Sequence, residues 1–343
     1  METHREVKRD NRRYRLRDCK KHCHIVSIRK ILYQGRSIKE SEVGMSKVEK
    51  ASYLGLRRFD TQKQPPPALL KWIGSKHQIA RNIIQYMPHK YNTYIEPFLG
   101  SGAVLGTIAP KKAVAGDNLK PLIDIWQLVQ NDPESLLKYY SDTWNEYIKT
   151  PKETYEKVRD SYNKNPNPHD LLFISRSCYG GVIRFTKEGK ISTPIGVHKP
   201  ISPKSLEKRM EIWRKRIGGT RFIHADFSET MDFATGGDMV YCDPPYQYSQ
   251  QILYGSQNFR IPDLWNAIRK CKERGAKVML SIDGKVKSEK IDLKLHYPEG
   301  LFEREILIDR GSSMLKRFQK KGLNMAGETV HDRLLLTWSF TTE

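Results

Sequence analysis

The sequence lacks long apolar runs and a regular set of cysteines, and each absence excludes a class of protein. No apolar run approaches the roughly 18 to 20 residues that span a bilayer, and the N-terminus lacks the apolar core of a signal peptide. The cysteines, at positions 19, 23, 178, 242 and 271, are odd in number and scattered, which argues against a disulfide framework. The sequence therefore predicts a cytoplasmic protein without a membrane span or stabilising disulfides.

Acidic residues are scarce relative to basic ones. The 343 residues include 60 Lys and Arg but 39 Asp and Glu, which gives a formal net charge of +21. An excess of this kind most often indicates a polyanionic partner, so we expect nucleic acid, with an anionic membrane surface as the alternative.

The basic excess is marked in residues 1–66, which show no sustained apolar period and lead into the prolines at 65–67. We interpret this segment as a basic, poorly ordered N-terminal arm. The cysteines and histidines at positions 19–24 could hold zinc, but no second pair of ligands follows at a distance, so we assign no metal site.

From Leu69 onward, short apolar stretches alternate with longer amphipathic ones, a pattern typical of an α/β sheet. The expected strands are TYIE at 93–96, AVAGD at 113–117, RFIHAD at 221–226, DMVYCD at 238–243 and KVMLSID at 277–283. Each of the first four ends in an acidic residue. Two further candidates, at 302–309 and 332–338, are expected to form an antiparallel pair at one edge of the sheet.

About a hundred residues between the second and third strands interrupt the α/β alternation, and an insertion of that length is usually functional. Helices are expected at 133–148, 152–163, 169–176 and 203–216, with a non-helical stretch at 178–196. We interpret residues 131–216 as a mostly helical subdomain, inserted into a domain that comprises residues 67–130 and 217–343.

The first strand is followed by PFLGSGAV, which places Phe98, Gly100 and Gly102 at the turn from strand to helix. Ligands of open α/β sheets bind outside the carboxyl ends of the strands, and glycine lets a ligand approach the backbone there. A tight structural turn would explain the same pattern without a ligand.

Acids at two other strand ends strengthen the ligand interpretation. Asp117 ends the second strand, where a carboxylate commonly accepts hydrogen bonds from ribose hydroxyls. Asp226 ends the third, and it could accept a hydrogen bond from an adenine amino group while Phe227 covers the base. Each acid alone could instead be a helix N-cap, but acids in register at several strand ends predict a nucleoside ligand.

The fourth strand ends in DPPY at the same edge of the sheet. Pro244 and Pro245 stiffen the turn and leave its carbonyls free to accept hydrogen bonds. If Asp243 and the Pro244 carbonyl each accept one hydrogen of an exocyclic amino group, the nitrogen becomes more tetrahedral and its lone pair turns towards an electrophile. Tyr246 would then stack on the base, which must leave the duplex to reach this position.

The order FLGSG, AGD, HADF and YCDPPY resembles the amino-methyltransferases, and in detail the DNA-adenine methyltransferases of the bacterial Dam type. The resemblance implies a Rossmann-like methyltransferase sheet with an inserted DNA-recognition subdomain, and S-adenosylmethionine as the cofactor. LLKWIGSKHQI at 69–79 is similar to the first motif of the family, which implies cofactor contacts for Trp72 and Lys76 and a DNA contact for Lys71.

Two groups of site residues follow from the motifs and the resemblance. The expected cofactor-binding residues are Trp72, Lys76, Glu96, Phe98, Gly100, Gly102, Asp117, Asp226, Phe227 and Asp243. The expected catalytic residues are Asp243, Pro244, Pro245 and Tyr246.

The stretch RSCYGGVIRFTKEGKISTPIG at 176–196 resembles the DNA-reading β-hairpin of the family. Together with the basic segment at 310–322, it implies DNA contacts by Lys71, Tyr179, Arg184, Lys187, Pro194, Lys316, Arg317, Lys320 and Lys321. Gly180 and Ser192 stand where the family commonly has Asn. Because those positions face DNA in the family, the target sequence stays open and GATC is not assumed.

We therefore predict a site-specific DNA-adenine N6-methyltransferase that uses S-adenosylmethionine, flips the target adenine and transfers the methyl group directly, without a metal ion. The expected partner is double-stranded DNA, a cognate restriction endonuclease is a further candidate, and the chain is expected to act as a monomer. Two alternatives stay open: methylation of RNA or of cytosine N4, and a nucleic-acid-binding module with an inactive cofactor site.

Overall fold

A seven-stranded sheet forms the centre of the computed structural model, which describes residues 64–245, 259–283, 297–312 and 329–339. The strands are β1 (Tyr94–Glu96), β2 (Ala113–Asp117), β3 (Thr220–His224), β4 (Met239–Cys242), β5 (Lys277–Asp283), β6 (Arg304–Ser312) and β7 (Thr329–Leu336). Residues 1–63, the cysteines and histidines at 19–24, Tyr246, Lys316, Arg317, Lys320 and Lys321 lie outside the described residues.

The strands follow the order β3-β2-β1-β4-β5-β7-β6 across the sheet. β7 is antiparallel to both of its neighbours, β5 and β6, whereas the other four pairs of neighbouring strands are parallel. The predicted α/β class, the Rossmann-like sheet and the antiparallel edge pair are therefore confirmed.

The strand order reverses at β1, which pairs with β2 on one side and with β4 on the other. All residues of β1 and β4 are buried, as expected for central strands covered by helices on both faces. In open α/β sheets the ligand crevice lies at such a reversal, outside the carboxyl ends of the strands. The topology therefore brings the acids after β1, β2 and β4 to one edge.

The helices are α1 (Ala80–Ile84), α2 (Ala103–Ile108), α3 (Lys120–Asn131), α4 (Pro133–Lys149), α5 (Pro151–Lys164), α6 (Pro168–Ser177), α7 (Pro203–Ile217), α8 (Phe227–Met231) and α9 (Ile261–Glu273). Those of the insertion, α4 to α7, begin and end within one residue of the predicted positions. Each begins with proline, whose fixed φ suits a first helical turn. Asp132, Asn167 and Ser202 cap α4, α6 and α7 by accepting backbone N–H hydrogen bonds. Within the described stretches, no helix combines the length and the apolar character that a membrane span requires.

The inserted helices share one hydrophobic core with the sheet domain. Trp213 of α7 packs on Trp126 of α3 with ring centroids 4.7 Å apart, and Trp126 stacks on Phe222 of β3 at 6.3 Å. All of the described residues accordingly belong to a single compact unit.

Residues 64–69, which lead into the LLKWIGSK motif, are held against the insertion by hydrogen bonds to their backbone. Their carbonyl oxygens accept hydrogen bonds from Arg176, Arg209, Trp213 and Arg216, which lie on α6 and α7. These four side chains fix the path of the chain before the motif.

The stretch at 178–196 doubles back on itself as a hairpin-like loop, with isolated antiparallel bridges at Cys178 with Ile195 and Phe185 with Ile191. A continuous two-stranded ladder, which the expected β-hairpin would have, does not form along it. One reason is that Gly180 has a left-handed backbone, with φ of 64°. A second is that the backbone N–H of Arg184 donates a hydrogen bond to the Thr193 hydroxyl at 2.7 Å, and a ladder would need this donor.

Candidate active site

A cleft opens at the carboxyl ends of β1, β2 and β4. Its walls come from residues 72–76, 96–101, 103–104, 117–118, 226–227 and 243–245, together with Tyr241 and Phe259. The structure thus brings together all the residues expected to bind the cofactor except Gly102, and with them Asp243, Pro244 and Pro245. Residues far apart in the sequence form one site because parallel strands place their carboxyl ends on the same edge.

Hydrogen bonds and ring packing hold the glycine turn between β1 and α2 in place. Gly100 and Gly102 have left-handed φ angles of 49° and 62°. The N–H of Gly100 donates to Asp117 at 3.0 Å, and its carbonyl accepts from the indole of Trp126 at 3.2 Å. A Cβ on Gly102 would lie 3.2 Å from the Trp126 ring, so this glycine serves the turn and its packing and does not line the cleft.

An ion pair between buried Lys76 and partly buried Asp243 joins two of the motifs in the lining of the cleft. The Lys76 ammonium donates to Asp243 Oδ1 at 2.7 Å, and the Lys76 side chain is only 2% exposed. Lys76 was expected to contact the cofactor. The structure shows that it also forms an ion pair with Asp243, the acid of DPPY. Because a charge-assisted hydrogen bond of this length is strong and directional, Lys76 fixes how the Asp243 carboxylate presents itself to the cleft.

A second carboxylate near Lys76 was missed by the sequence analysis. Asp332 Oδ2, on β7, lies 3.9 Å from the Lys76 ammonium, and the Asp332 side chain is fully buried. The signal in the sequence is an acid at the start of the apolar run DRLLLTW, within the predicted strand at 332–338.

Glu96, at the end of β1, is buried beside the cleft. It accepts a hydrogen bond from the Tyr94 hydroxyl at 2.7 Å. Burial, helped by the nearby negative charge of Asp243, raises the pKa of Glu96 to about 8, although the hydrogen bond from Tyr94 opposes the shift. In the absence of a ligand, Glu96 is therefore largely protonated at neutral pH, and a cation bound next to it would favour its ionised form.

Asp117, at the end of β2, accepts backbone hydrogen bonds with both of its carboxylate oxygens. Oδ2 accepts from Gly100 N–H at 3.0 Å and Oδ1 accepts from Leu119 N–H at 3.1 Å. Burial raises the pKa of Asp117, and these backbone hydrogen bonds oppose the shift. Each carboxylate oxygen has more than one lone pair, so these bonds hold Asp117 in place without preventing it from accepting hydroxyl groups.

Asp226 lies on the rim of the cleft and caps α8. Its Oδ1 accepts from the Ser228 N–H at 2.9 Å and from the Ser228 hydroxyl at 2.7 Å. The cap that the sequence analysis weighed as an alternative to ligand binding is therefore present. Because the side chain is exposed and also lines the cleft, the cap and a ligand contact are compatible.

Three phenylalanine rings form one wall of the cleft. Phe98 and Phe227 are stacked with centroids 5.3 Å apart, and Phe259 meets both rings edge-on at 5.9 Å and 5.5 Å. Phe259, two residues before α9, was not predicted, because no motif surrounds it. Only packing against the two predicted rings reveals that it lines the cleft.

The DPPY turn leaves β4 at the edge of the cleft, with Pro244 buried and Pro245 partly exposed. Just before it, Cys242 is fully buried, and burial raises the pKa of its thiol well above the usual value. Cys242 therefore packs in the core and is not activated as a nucleophile. No group of His, Cys, Asp or Glu within the described residues has an arrangement that could hold a metal ion.

The hairpin-like loop at 178–196 has one buried side and one exposed side. Ile183, Phe185 and Ile191 are buried, whereas Arg184, Lys187, Ser192 and Pro194 are exposed and Tyr179 is 39% exposed. In the part of the chain that the structure describes, the Arg184 guanidinium has no hydrogen-bond or ion-pair partner. Alternation along the loop thus directs the predicted DNA-binding side chains outwards.

Lys71 connects the loop to the first motif. It is exposed, outside the cleft, and its aliphatic chain lies over Gly181, where an added Cβ would overlap it. Gly181 also has a left-handed φ of 68°. The two segments expected to touch DNA from different parts of the sequence therefore lie side by side.

Comparison with known proteins identifies the family of this chain. Residues 72–305 match the family described as D12 class N6 adenine-specific DNA methyltransferase. The chain belongs to this family. The matched segment includes both the cleft and the hairpin-like loop, so the resemblance to adenine methyltransferases is confirmed, and the D12 class enzyme is an adenine-specific DNA methyltransferase.

Curated relatives of this D12 class enzyme come from archaea and bacteria. Type II methyltransferase M.MjaIII of Methanocaldococcus jannaschii is 32% identical over 240 residues, which is 62% of this chain and 82% of the relative. Type II methyltransferase M1.LlaDCHI of Lactococcus lactis is 28% identical over 246 residues, 66% of this chain and 85% of the relative. The DNA adenine methylase of Vibrio cholerae is 26% identical over 226 residues, 62% of this chain and 80% of the relative.

Membership of the D12 class implies the use of S-adenosylmethionine, and the cleft suits that molecule. Glu96 is a buried carboxyl group beside the cleft, and on ionising it can pair with a cationic ligand. The three phenylalanine rings offer an apolar surface for a purine, and Asp117 and Asp226 are acceptors for hydroxyl and amino groups. Charge, shape and acceptors of the D12 cleft therefore agree with a charged nucleoside cofactor.

Proposed function

We propose that the protein is a site-specific DNA methyltransferase that uses S-adenosylmethionine to methylate the N6 amino group of an adenine flipped out of the duplex, by direct transfer to the nitrogen. The observation that carries the proposal is the Asp243 carboxylate at the end of β4, held by Lys76 at 2.7 Å within the cleft. A fixed acceptor at this point is what an exocyclic amino group needs in order to become a nucleophile.

The cofactor is held by Trp72, Lys76, Glu96, Phe98, Gly100, Gly102, Asp117, Asp226, Phe227 and Asp243. When bound, S-adenosylmethionine supplies a methyl group activated by a positively charged sulfonium. Glu96 and Asp243 balance that charge, Asp117 accepts from the ribose hydroxyls, and Asp226 accepts from the adenine amino group. Gly102 acts through the turn that positions Gly100.

The target adenine is held by the DPPY turn. Asp243 and the Pro244 carbonyl accept the two hydrogens of its amino group, and Pro245 keeps the turn stiff. Tyr246 stacks on the base and offsets part of the stacking free energy lost on flipping, which is on the order of a few kcal/mol. The work of the enzyme is thus to position the amino nitrogen and exclude water.

Residues 131–216 are the target-recognition insertion, and residues 67–130 and 217–343 are the catalytic domain. Tyr179, Arg184, Lys187 and Pro194 contact DNA from the exposed side of the hairpin-like loop, and Lys71 contacts it from beside Gly181. Lys316, Arg317, Lys320 and Lys321 contact phosphates, and residues 1–66 add affinity independent of sequence. Double-stranded DNA is the partner, the enzyme acts as a monomer, and a cognate endonuclease accompanies it, by likeness to the relatives named Type II methyltransferases.

The deciding experiment is methylation by the full-length protein with isotope-labelled S-adenosylmethionine on duplex DNA of random sequence, and on RNA of matched length. Label in N6-methyladenine at one short motif of the DNA is expected. Label in RNA or in N4-methylcytosine would support the alternative substrates. Failure to bind the cofactor would support a binding module with an inactive site.

A further inference from the structure

Asp332 is a buried acid on β7, two residues before the apolar run that begins at Leu334. Within this strand, Leu334, Leu335 and Leu336 are fully buried, and so is Asp332. The residue pairs with Asp283 of β5 and with Ile308 of β6, so it lies in the interior of the sheet. A buried carboxylate is costly unless a positive group or hydrogen-bond donors compensate it. Its presence here therefore calls for a cation nearby.

Lys76 is that cation, and it is shared. Its ammonium lies 2.7 Å from Asp243 Oδ1 and 3.9 Å from Asp332 Oδ2. It also donates to the carbonyl of Gly74 at 3.4 Å, within its own motif. Lys76 thus stands between the carboxylate of the cleft and a carboxylate on β7, two strands away from β4 in the sheet.

The position of the Lys76 ammonium depends on both acids. A lysine side chain has four rotatable bonds, so one carboxylate alone leaves the ammonium several ways to make its contact. A second carboxylate, 3.9 Å from the ammonium, reduces the number of positions that the ammonium can occupy. The contact made by Asp243 Oδ1 is then fixed in direction, and so is the plane of the Asp243 carboxylate in the cleft.

We propose that Asp332 is a positioning residue for methyl transfer, which acts through Lys76 to orient the Asp243 carboxylate. This inference rests on the proposed function, because it takes Asp243 as the acceptor of the amino group. Asp332 itself touches neither substrate nor cofactor, since it does not line the cleft.

The test is Asp332→Asn, which keeps the shape of the side chain and removes its charge. We expect the single-turnover rate to fall about 10- to 100-fold, since a small misplacement of a catalytic group has effects of this size. Dissociation constants for S-adenosylmethionine and DNA should change by less than about threefold, because the contacts that line the cleft remain. A variant that keeps the wild-type rate, or that loses cofactor affinity in proportion to rate, would overturn the proposal.

A matched control separates positioning from general destabilisation. Asp238 is also buried, 3% exposed, but it lies at the opposite end of β4 and accepts from Thr93 N–H and Thr235 N–H, each at 2.9 Å. Asp238→Asn should lower the melting temperature and leave the single-turnover rate of the folded protein unchanged. An equal loss of rate in both variants would contradict a specific role for Asp332.

A double-variant comparison tests the route through Lys76. If Asp332 acts only through the ammonium, adding Asp332→Asn to Lys76→Met should cause no further loss of rate, and a further loss of tenfold would refute that route. This comparison also decides the matter if Asp332→Asn alone does not fold, because the double variant leaves no unpaired charge between the two positions. Wild-type protein that methylates adenine in the same assay shows that the proposed function stands independently of these outcomes.

Discussion

In the cleft Lys76 and Glu96 are buried and Asp243 is partly buried, whereas the charged side chains of the hairpin-like loop at 178–196 are exposed. Lys76 and Asp243 form a 2.7 Å pair in the cleft, and burial there raises the pKa of Glu96 to about 8. Arg184 and Lys187 on the loop are exposed instead. Chemistry on a nitrogen needs acceptors fixed in advance, while reading of DNA needs donors that find their partners only on the DNA.

The loop is nevertheless not loose, because its buried side is anchored. The Tyr155 hydroxyl donates to the carbonyl of Thr193 at 2.8 Å, and Asn163 exchanges two hydrogen bonds with the backbone of Ile191, at 3.0 Å and 2.7 Å. Both anchoring side chains lie on α5. The two regions therefore differ in where the fixed polar groups lie. In the cleft these groups line the site itself, whereas in the loop they lie on the buried side, away from the exposed side chains.

Removal of the acceptor in the cleft should have the largest effect. Asp243→Asn keeps the size of the side chain but turns one acceptor into a donor, so the rate of methyl transfer should fall by about 10²- to 10³-fold. Single-turnover kinetics on a DNA duplex with the preferred site would measure it. A rate within about threefold of the wild type would mean that the fixed acid of the cleft is not the amino acceptor.

The buried acid of the cleft should also make stability depend on pH. Folded Glu96 has a pKa of about 8, against an ordinary value of 4.5, so the folded protein keeps a proton that the unfolded chain releases between these values. The free energy of unfolding should therefore fall as pH rises through this window, by at most about 1.4 kcal/mol per pH unit. Glu96→Gln should remove this part of the slope.

Denaturant unfolding checks this pH dependence. Wild type and Glu96→Gln are compared without added cofactor at about pH 5.5 and about pH 7.5. The wild type should lose up to roughly 3 kcal/mol more than the variant over this interval. Equal losses in the two proteins would show that Glu96 is ionised in the folded state. Burial in the cleft would then not raise the pKa of Glu96, and the cleft would differ less from the exposed loop.

On the loop, Arg184→Ala should alter sequence preference rather than overall rate. A guanidinium can donate two hydrogen bonds to a guanine edge, which discriminates by about 1 to 3 kcal/mol at one base pair. Lys187→Ala, at an exposed position of the same loop, should weaken methylation of all sites alike by losing a phosphate contact. Methylation profiles over random DNA would compare them. Reversed profiles would exchange the two roles.

The smallest effect is expected at the rim of the cleft, where Asp226 resembles the loop residues in its exposure. Asp226→Ala removes both the cap of α8, about 1 kcal/mol, and the proposed contact to the cofactor. Asp226→Ser is the matched variant, because serine can still cap the helix. Calorimetry should show severalfold weaker S-adenosylmethionine binding for both variants. If Asp226→Ser binds as tightly as the wild type, the acid is only a cap.

Much of the fold followed from local sequence patterns. The helices α4 to α7 begin and end within one residue of prediction because proline and capping residues mark their starts and amphipathic periodicity marks their lengths. β2 and β5 were predicted with their observed bounds, since a buried parallel strand is a short apolar run between turns. Most of the predicted site residues that line the cleft were found because they stand in motifs, several of them at strand ends.

The tertiary structure decided what depends on contacts between distant residues. Neither Asp332 on β7 nor Phe259 before α9 stands in a motif, and their places beside Lys76 and Phe227 depend on strand order and helix packing. The missing ladder in the hairpin-like loop likewise depends on Thr193 taking the N–H of Arg184. A sequence pattern records which residues can form an element, whereas side-chain pairing across the sheet depends on distances that exist only after the chain has folded.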